Sequence, residues 1–179
     1  MGKITMRLFI AINFNESTRN ELIALRDNLK HNSTKGRFTL DENLHLTLIF
    51  LGECDSGQKD TAIAVMESVS FEPFFIEVDR IGRFKRNGSD LWWAGVEESK
   101  QLLQLQQDLA DKLRFTGFSV EKRKHNPHIT LGREIITTEK DRSTLSFGET
   151  VMQIDLMEST WISRKLTYVP VYGRKGTPI

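Results

Sequence analysis

The sequence predicts an α+β fold, with helices packed on antiparallel or mixed sheets that form two related lobes around a central cleft. Three observations carry this. Strand-like and helix-like stretches interleave in the order β, α, β, α, β, β, α, β, β, β, with a hairpin in the middle rather than strict alternation. The pattern His, apolar, Thr, apolar occurs twice, at His45-Leu46-Thr47-Leu48 and at His128-Ile129-Thr130-Leu131, with 83 positions from His45 to His128. The composition, 39% hydrophobic and 27% charged over 179 residues, suits one globular domain of two interleaved lobes with one motif each.

Arg7 to Ile12 reads as the first strand, with Leu8, Ile10 and Ile12 on one face and Arg7, Phe9 and Ala11 on the other. Asn15 is placed to N-cap a helix running to about Lys30, with Leu22, Leu25 and Leu29 as its apolar stripe. His31 to Gly36 reads as a polar loop, Arg37 to Leu40 as a short extended piece, and Asp41-Glu42-Asn43 as the turn into the first motif strand. That strand runs to Leu51 before Gly52. Asp55 or Ser56 caps a second helix with Ala62, Val65, Met66 and Val69 at helical spacing.

Phe74 to Ile81 and Leu91 to Val96 read as paired strands around an Asn87-Gly88 turn. Ser99 opens a third helix with Leu102, Leu105, Leu109 and Leu113 in register, ended by Gly117. Phe118 to Glu121 is a candidate strand, followed by a basic loop, Lys122-Arg123-Lys124-His125, and the second motif strand. Glu134 to Ser146 carries no clear period. Thr150 to Leu156 and Thr160 to Val171 read as a closing strand pair.

The net charge of +1 gives no global field towards nucleic acid, so any RNA affinity rests on local patches. The single cysteine, Cys54, excludes an internal disulfide and a cysteine-rich zinc site; it reads as a partly exposed bystander thiol in a reducing cytoplasm. No apolar run reaches the ~18 residues of a membrane span. No signal-peptide core opens the chain.

On a strand, His and Thr at i and i+2 point the same way, so each motif presents an imidazole and a hydroxyl together. Two imidazoles facing one cleft suit general acid–base catalysis, because His titrates near neutrality. In an in-line displacement at phosphorus one takes a proton from the nucleophile and the other gives one to the leaving oxygen. The Thr hydroxyls can donate to non-bridging oxygens. The structural alternative is two strand histidines with purely local hydrogen bonds. A zinc site on His45 and His128 lacks evident third and fourth ligands. Phosphate-loop, nucleophile-elbow and zinc-helix motifs are absent from the sequence.

Around the motifs, Phe9 either lines the cleft and stacks a nucleobase or sits in the core. Phe50 alternates away from His45 and Thr47, which assigns it to the core. Arg133 is the candidate phosphate-binding arginine. By strict alternation it faces away from His128, so this assignment requires Gly132 to end or bulge the strand. The basic runs Arg83-Phe84-Lys85-Arg86 and Lys122-Arg123-Lys124 either track an RNA backbone or are simply solvated. His31 and His125 read as bystanders. Trp92 and Trp93 alternate faces, one core and one partly exposed.

The chain resembles the 2H phosphoesterase superfamily, and within it the bacterial and archaeal RNA 2′,3′-cyclic phosphodiesterases first described as 2′-5′ RNA ligases. The resemblance runs through Met6-Arg7-Leu8-Phe9-Ile10-Ala11, Glu42 to Leu48 with Phe50-Leu51-Gly52, Pro127 to Arg133, and Leu156-Met157-Glu158-Ser159. It implies a bilobed α+β fold, no metal or cofactor, and hydrolysis of RNA or nucleotide 2′,3′-cyclic phosphate ends to 2′-phosphates by a cytoplasmic monomer. It carries over His45, Thr47, His128 and Thr130 as the catalytic set, with His128 as base for water and His45 as acid. Phe38-Thr39 stands where the family often has Trp and Pro, Ile49 where Lys is common, and Tyr168 to Tyr172 lacks the usual Gly-Pro; these departures bear on substrate preference. Two other activities remain open: 2′-5′ ligation, with a 5′-hydroxyl replacing water, and RNA binding without catalysis.

Overall fold

The structure, a computed structural model, describes residues 2–122 and 126–178. Among the described residues nine strands form two antiparallel sheets: β1 Met6–Asn13, β2 Ser33–Phe38, β3 His45–Cys54, β4 Phe74–Phe84, β5 Asp90–Val96, β6 His128–Thr137, β7 Phe147–Val151, β8 Gln153–Ile162 and β9 Lys165–Lys175. One sheet has the order β3-β1-β8-β9, the other β2-β6-β5-β4-β7. Each motif strand thus lies in a different sheet. Helix α1 (Glu16–His31) packs on β2, β6 and β7, whereas α2 (Ser56–Ser68) and α3 (Lys100–Phe115) pack together against β3.

The helices form where caps and apolar stripes coincide. Asn15 accepts from Thr18 N–H, and Asp55 forms a reciprocal capping box with Gln58. Ser99 accepts from Leu102 N–H. Leu22 and Leu29 of α1 and Leu102, Leu109 and Leu113 of α3 are fully buried, each contributing about 1.5–3 kcal/mol of transfer free energy. Gly117 adopts φ 102° and ends α3, with the Phe118 N–H returning to the Leu113 carbonyl.

Five expectations are corrected. Ser33 to Gly36 is strand rather than loop, because it pairs with β6 from Ser33 opposite Thr137 to Phe38 opposite Gly132; edge position and exposure make its polar sequence tolerable. Phe118 to Glu121 is no strand: the Arg114 guanidinium takes the Val120 and Glu121 carbonyls that a partner strand would need. The segment from Thr150 to Leu156 breaks at exposed Met152, where the chain leaves one sheet for the other, and the segment from Thr160 to Val171 contains a tight turn at Ser163 and Arg164, both at positive φ. Cys54 is the last residue of β3, and its side chain is buried rather than partly exposed.

Bulges aim the motif strands. Against β1, Thr47 faces Ala11 and Ile49 faces Ile10, leaving Leu48 as an extra residue; Phe50 then faces Phe9 and Gly52 faces Leu8, leaving Leu51 extra. Against β5, Thr130 faces Trp93 and Gly132 faces Trp92, leaving Leu131 extra. Each extra residue reverses the inward–outward parity beyond it. His45, Thr47 and Phe50 consequently share one face of β3, as His128, Thr130 and Arg133 do on β6. The two strands repeat the same interruption at the same distance from their histidines.

Candidate active site

His45 and His128 open their strands and are held alike. His45 Nδ1 lies 2.7 Å from the Asn43 carbonyl, and His128 Nδ1 lies 2.8 Å from the Asn126 carbonyl. A carbonyl only accepts, so each Nδ1 carries the proton and each Nε2 keeps its lone pair. His45 Nε2 meets the Thr47 hydroxyl at 2.8 Å. In the neutral ring this hydroxyl is the donor.

Aromatic rings fix the imidazoles further. Phe9 and Tyr168 lie 5.0 and 5.1 Å from the His45 ring, Tyr168 edge-on, and 5.1 Å from one another. Phe84 meets His128 edge-on at 5.3 Å, and Trp93 lies 6.4 Å from it. Gly82 makes room for Trp93, since a Cβ there would stand 2.6 Å from the indole. Asn43 is 5% exposed and closes the His45 side: its amide donates to the Leu166 carbonyl at 2.7 Å and accepts from the Tyr168 N–H at 3.3 Å. The residue whose backbone anchors His45 therefore also ties β9 to the motif.

Burial pushes both histidines below their usual titration range, against the opposing effect of the carbonyl each bonds. For His45 the charges of His128 and Arg133 act in the same direction, and for His128 the charge of Arg133 does. Burial raises the Tyr168 phenol, opposed by Arg133 and Arg7. The motif strands β3 and β6 touch across the two sheets, and the Arg133 charge acts on His45 and Tyr168 from the opposite sheet, so both motifs and the arginine face one cleft.

Of the residues singled out from sequence, His45, Thr47, His128, Thr130 and Arg133 share this cleft; the parity change that turns Arg133 comes from a bulge at Leu131, whereas Gly132, the position expected to interrupt the strand, is paired on both sides. Phe9 lies on the cleft side with Ala11 and Met157 in a small apolar cluster, but only 4% of it is exposed. Phe50 is corrected: it is 70% exposed on the cleft face, its ring 6.4 Å from that of Phe9, because the Leu48 bulge reverses its parity. Trp92 is the core tryptophan and Trp93 the half-buried one. Arg83 of the first basic run is occupied beside Asp90 and Asp141 over the Trp92 ring. His31 is exposed. Arg123, Lys124 and His125 lie outside the described residues.

Tyr168, Asn43 and Phe84 were given no place beside the histidines by the sequence reading. The signal for Asn43 was its place two residues before the motif histidine, mirrored by Asn126 before His128. Among the described residues no three His, Cys, Asp or Glu side chains gather as a ligand set. Nor is any helix there long and apolar enough to cross a membrane.

Comparison with known proteins places this geometry in context. The chain is 39% identical over 132 residues to an RNA 2′,3′-cyclic phosphodiesterase of Thermotoga maritima, covering 72% of this chain and 70% of that protein. It is 30% identical over 170 residues to the Escherichia coli protein of the same name, covering 92% and 93%. The structure of E. coli LigT complexed with 3′-AMP superposes with a TM-score of 0.86 at 25% identity, over 97% of this chain and 99% of that one. The fold, with its two antiparallel sheets and three helices, is thus that of the 2H phosphoesterases. Residues 14–147 match the model of the 2′-5′ RNA ligase superfamily, and the chain belongs to that family.

Proposed function

We propose that this protein is an RNA 2′,3′-cyclic phosphodiesterase that opens a terminal cyclic phosphate to a 2′-phosphate without a metal or cofactor. The observation that carries it is the matched anchoring of two imidazoles, each with Nδ1 on the carbonyl two residues earlier, beside an arginine whose charge reaches both. The relatives named RNA 2′,3′-cyclic phosphodiesterase support the substrate class.

In this reading His128 Nε2 takes a proton from water as its oxygen bonds to phosphorus. The P–O3′ bond breaks, and His45, protonated at Nε2, gives its proton to the departing O3′. Proton exchange with solvent then resets the pair. Thr47, Thr130 and Arg133 hold the non-bridging oxygens, where negative charge accumulates. A bound phosphate anion raises both imidazole pKa values, offsetting the fall that burial imposes. Phe9 forms the floor under the bound ribose phosphate. The protein works as a cytoplasmic monomer of one domain with a motif in each lobe.

Incubation with an RNA ending in a 2′,3′-cyclic phosphate, with product analysis, tests this. The expected product is the 2′-phosphate, formed equally in EDTA and abolished by His45→Ala or His128→Ala. A 3′-phosphate would reject the stated bond cleavage, a 2′-5′ joined product would make the protein a ligase, and loss in EDTA reversed by zinc would make the imidazoles ligands.

A further inference from the structure

The tip of the β8–β9 hairpin is exposed and cationic, and the face it carries runs on into the cleft. Met157, Ser159 and Trp161 share one face of β8, opposite Pro170, Tyr168 and Leu166 of β9. This is the cleft face, since Met157 and Tyr168 pack on Phe9 and Tyr168 meets the His45 ring. The Trp161–Leu166 pair therefore stands one two-residue step, about 7 Å, beyond Tyr168 on the same surface. It is tied to the motif, because the Leu166 carbonyl accepts from the Asn43 amide and the Asn43 carbonyl anchors His45. Trp161 is nonetheless 71% exposed. A lone exposed apolar side chain is ordinary, but two further observations accompany this one. The turn that follows consists of Ser163 and Arg164, both at positive φ, where Asn-Gly is the unstrained choice. A long cationic side chain held at such a position points to function rather than folding. Arg164, Lys165 and, in the row of Tyr168, Arg7 are also exposed and form no ion pair among the described residues, whereas Arg26, Arg37 and Arg114 each lie beside a carboxylate.

We propose that this tip binds the RNA chain on the 5′ side of the terminal nucleotide, with Trp161 stacking the penultimate base and Arg164 holding a backbone phosphate; the inference rests on the phosphodiesterase reading above. RNA whose cyclic phosphate lies at His45 leaves the cleft as a single-stranded polyanion. A ring beside unpaired cations is the surface that recognises such a strand. Stacking reads no base edge, so the tip makes no choice of sequence. It separates an RNA end from a free cyclic nucleotide, which fills the cleft without reaching Trp161.

The test compares uridine 2′,3′-cyclic phosphate, a pentaribonucleotide ending in the same group, and that pentamer without its penultimate base. Wild type should show a KM for the intact pentamer about ten-fold below that for the gapped one, the worth of one stacked base, and lower still against the mononucleotide. Trp161→Ala should erase the first difference and leave KM and kcat for the mononucleotide unchanged, and Trp161→Phe should keep it. Arg164→Gly relaxes the turn, so Tm should hold or rise while the slope of log KM against log salt for the pentamer falls by about 0.7, one phosphate contact on a single strand. Equal KM values for the two pentamers in wild type, an equal effect of Trp161→Ala on all three substrates, or an unchanged salt slope would overturn the site. Fluorescence anisotropy of a labelled pentamer ending in a 2′-phosphate reads the same comparison without turnover. Affinity lost in Trp161→Ala upholds the site even if no cyclic phosphate is hydrolysed. Equal affinity rejects it, as does a tip that binds anionic vesicles and not RNA.

Discussion

Replacing Asn43 probes the coupling between the motif strand and the edge of the sheet. Its amide is buried and makes two hydrogen bonds to β9, at Leu166 O and Tyr168 N. Asn43→Ala leaves that carbonyl and that N–H facing a gap. At about 1–3 kcal/mol for each buried group stranded, the expected loss is roughly 2–4 kcal/mol, allowing for partial entry of water. For a chain of this size that is a fall of about 5–15 °C in Tm. Because the same residue supplies the carbonyl for His45 Nδ1, kcat should also fall about ten-fold or more, as ~1.4 kcal/mol of lost transition-state stabilisation suffices. Asn43→Asp sharpens the experiment. The carboxylate keeps the acceptor for Tyr168 but directs negative charge at the Leu166 carbonyl in a dry site, which raises its pKa above the unfolded value. Its stability relative to wild type should therefore be best at low pH, where the protonated acid can donate, and be lost as pH rises through the raised pKa. Thermal melts from pH 4 to 8, with steady-state rates at each pH, measure both effects. Wild-type melting and rates in Asn43→Ala, or no pH trend in Asn43→Asp, would refute the coupling.

Other outcomes follow from the same geometry. With both imidazole pKa values depressed by burial, the bell of kcat/KM against pH should centre below 6.5, and the kcat bell should lie higher once phosphate is bound. In folding the sign is equally fixed: a His with a depressed folded pKa contributes full stability above its unfolded pKa and loses it as pH falls, so Tm should drop on acidification below about 6.5 and drop less in His45→Gln, as differential scanning would read. A nitrophenyl ester of a ribonucleotide, whose leaving group needs no acid, should restore turnover to His45→Ala and not to His128→Ala; the opposite rescue reverses the two roles. Gly82→Ala forces the Trp93 ring aside and should cost about 1–3 kcal/mol by melting while lowering kcat/KM through His128. Phe9→Ala should cost about 3–5 kcal/mol in denaturant titration, because at 4% exposure its folding role outweighs its contact with substrate.

How much of this was legible in the sequence depended on whether a residue's role is local. The motif histidines and threonines were visible because alternation over three residues needs no partner strand. The caps Asn15, Asp55 and Ser99 were visible for the same reason. Phe50 was misplaced and Arg133 was left conditional by one cause: a bulge belongs to a pair of strands, and its extra residue is defined only by what lies opposite. The strand at Ser33–Phe38 was hidden because an edge strand needs no apolar face of its own to pair. Tyr168 reaches His45 only through the curl of its sheet and the Asn43 contacts, from a position 123 residues away (168 − 45). Nothing in its neighbours marks it.

The paired bulges have one more consequence. Two lobes with equivalent histidines and threonines would offer a small phosphoryl ligand two poses of equal energy, related by a half-turn, and the enzyme would bind half its substrate backwards. Here the third residue beyond each Thr breaks that degeneracy, with an aromatic ring on β3 and a positive charge on β6. Under the proposed function, a nucleotide is apolar and flat at one end and anionic at the other, so its two poses would meet that ring and that charge differently. In that reading, direction of entry, and with it which ester oxygen meets which imidazole, rests on the residues that differ between the lobes, Phe50 and Arg133 together with the unlike rings around each histidine, rather than on the catalytic groups themselves.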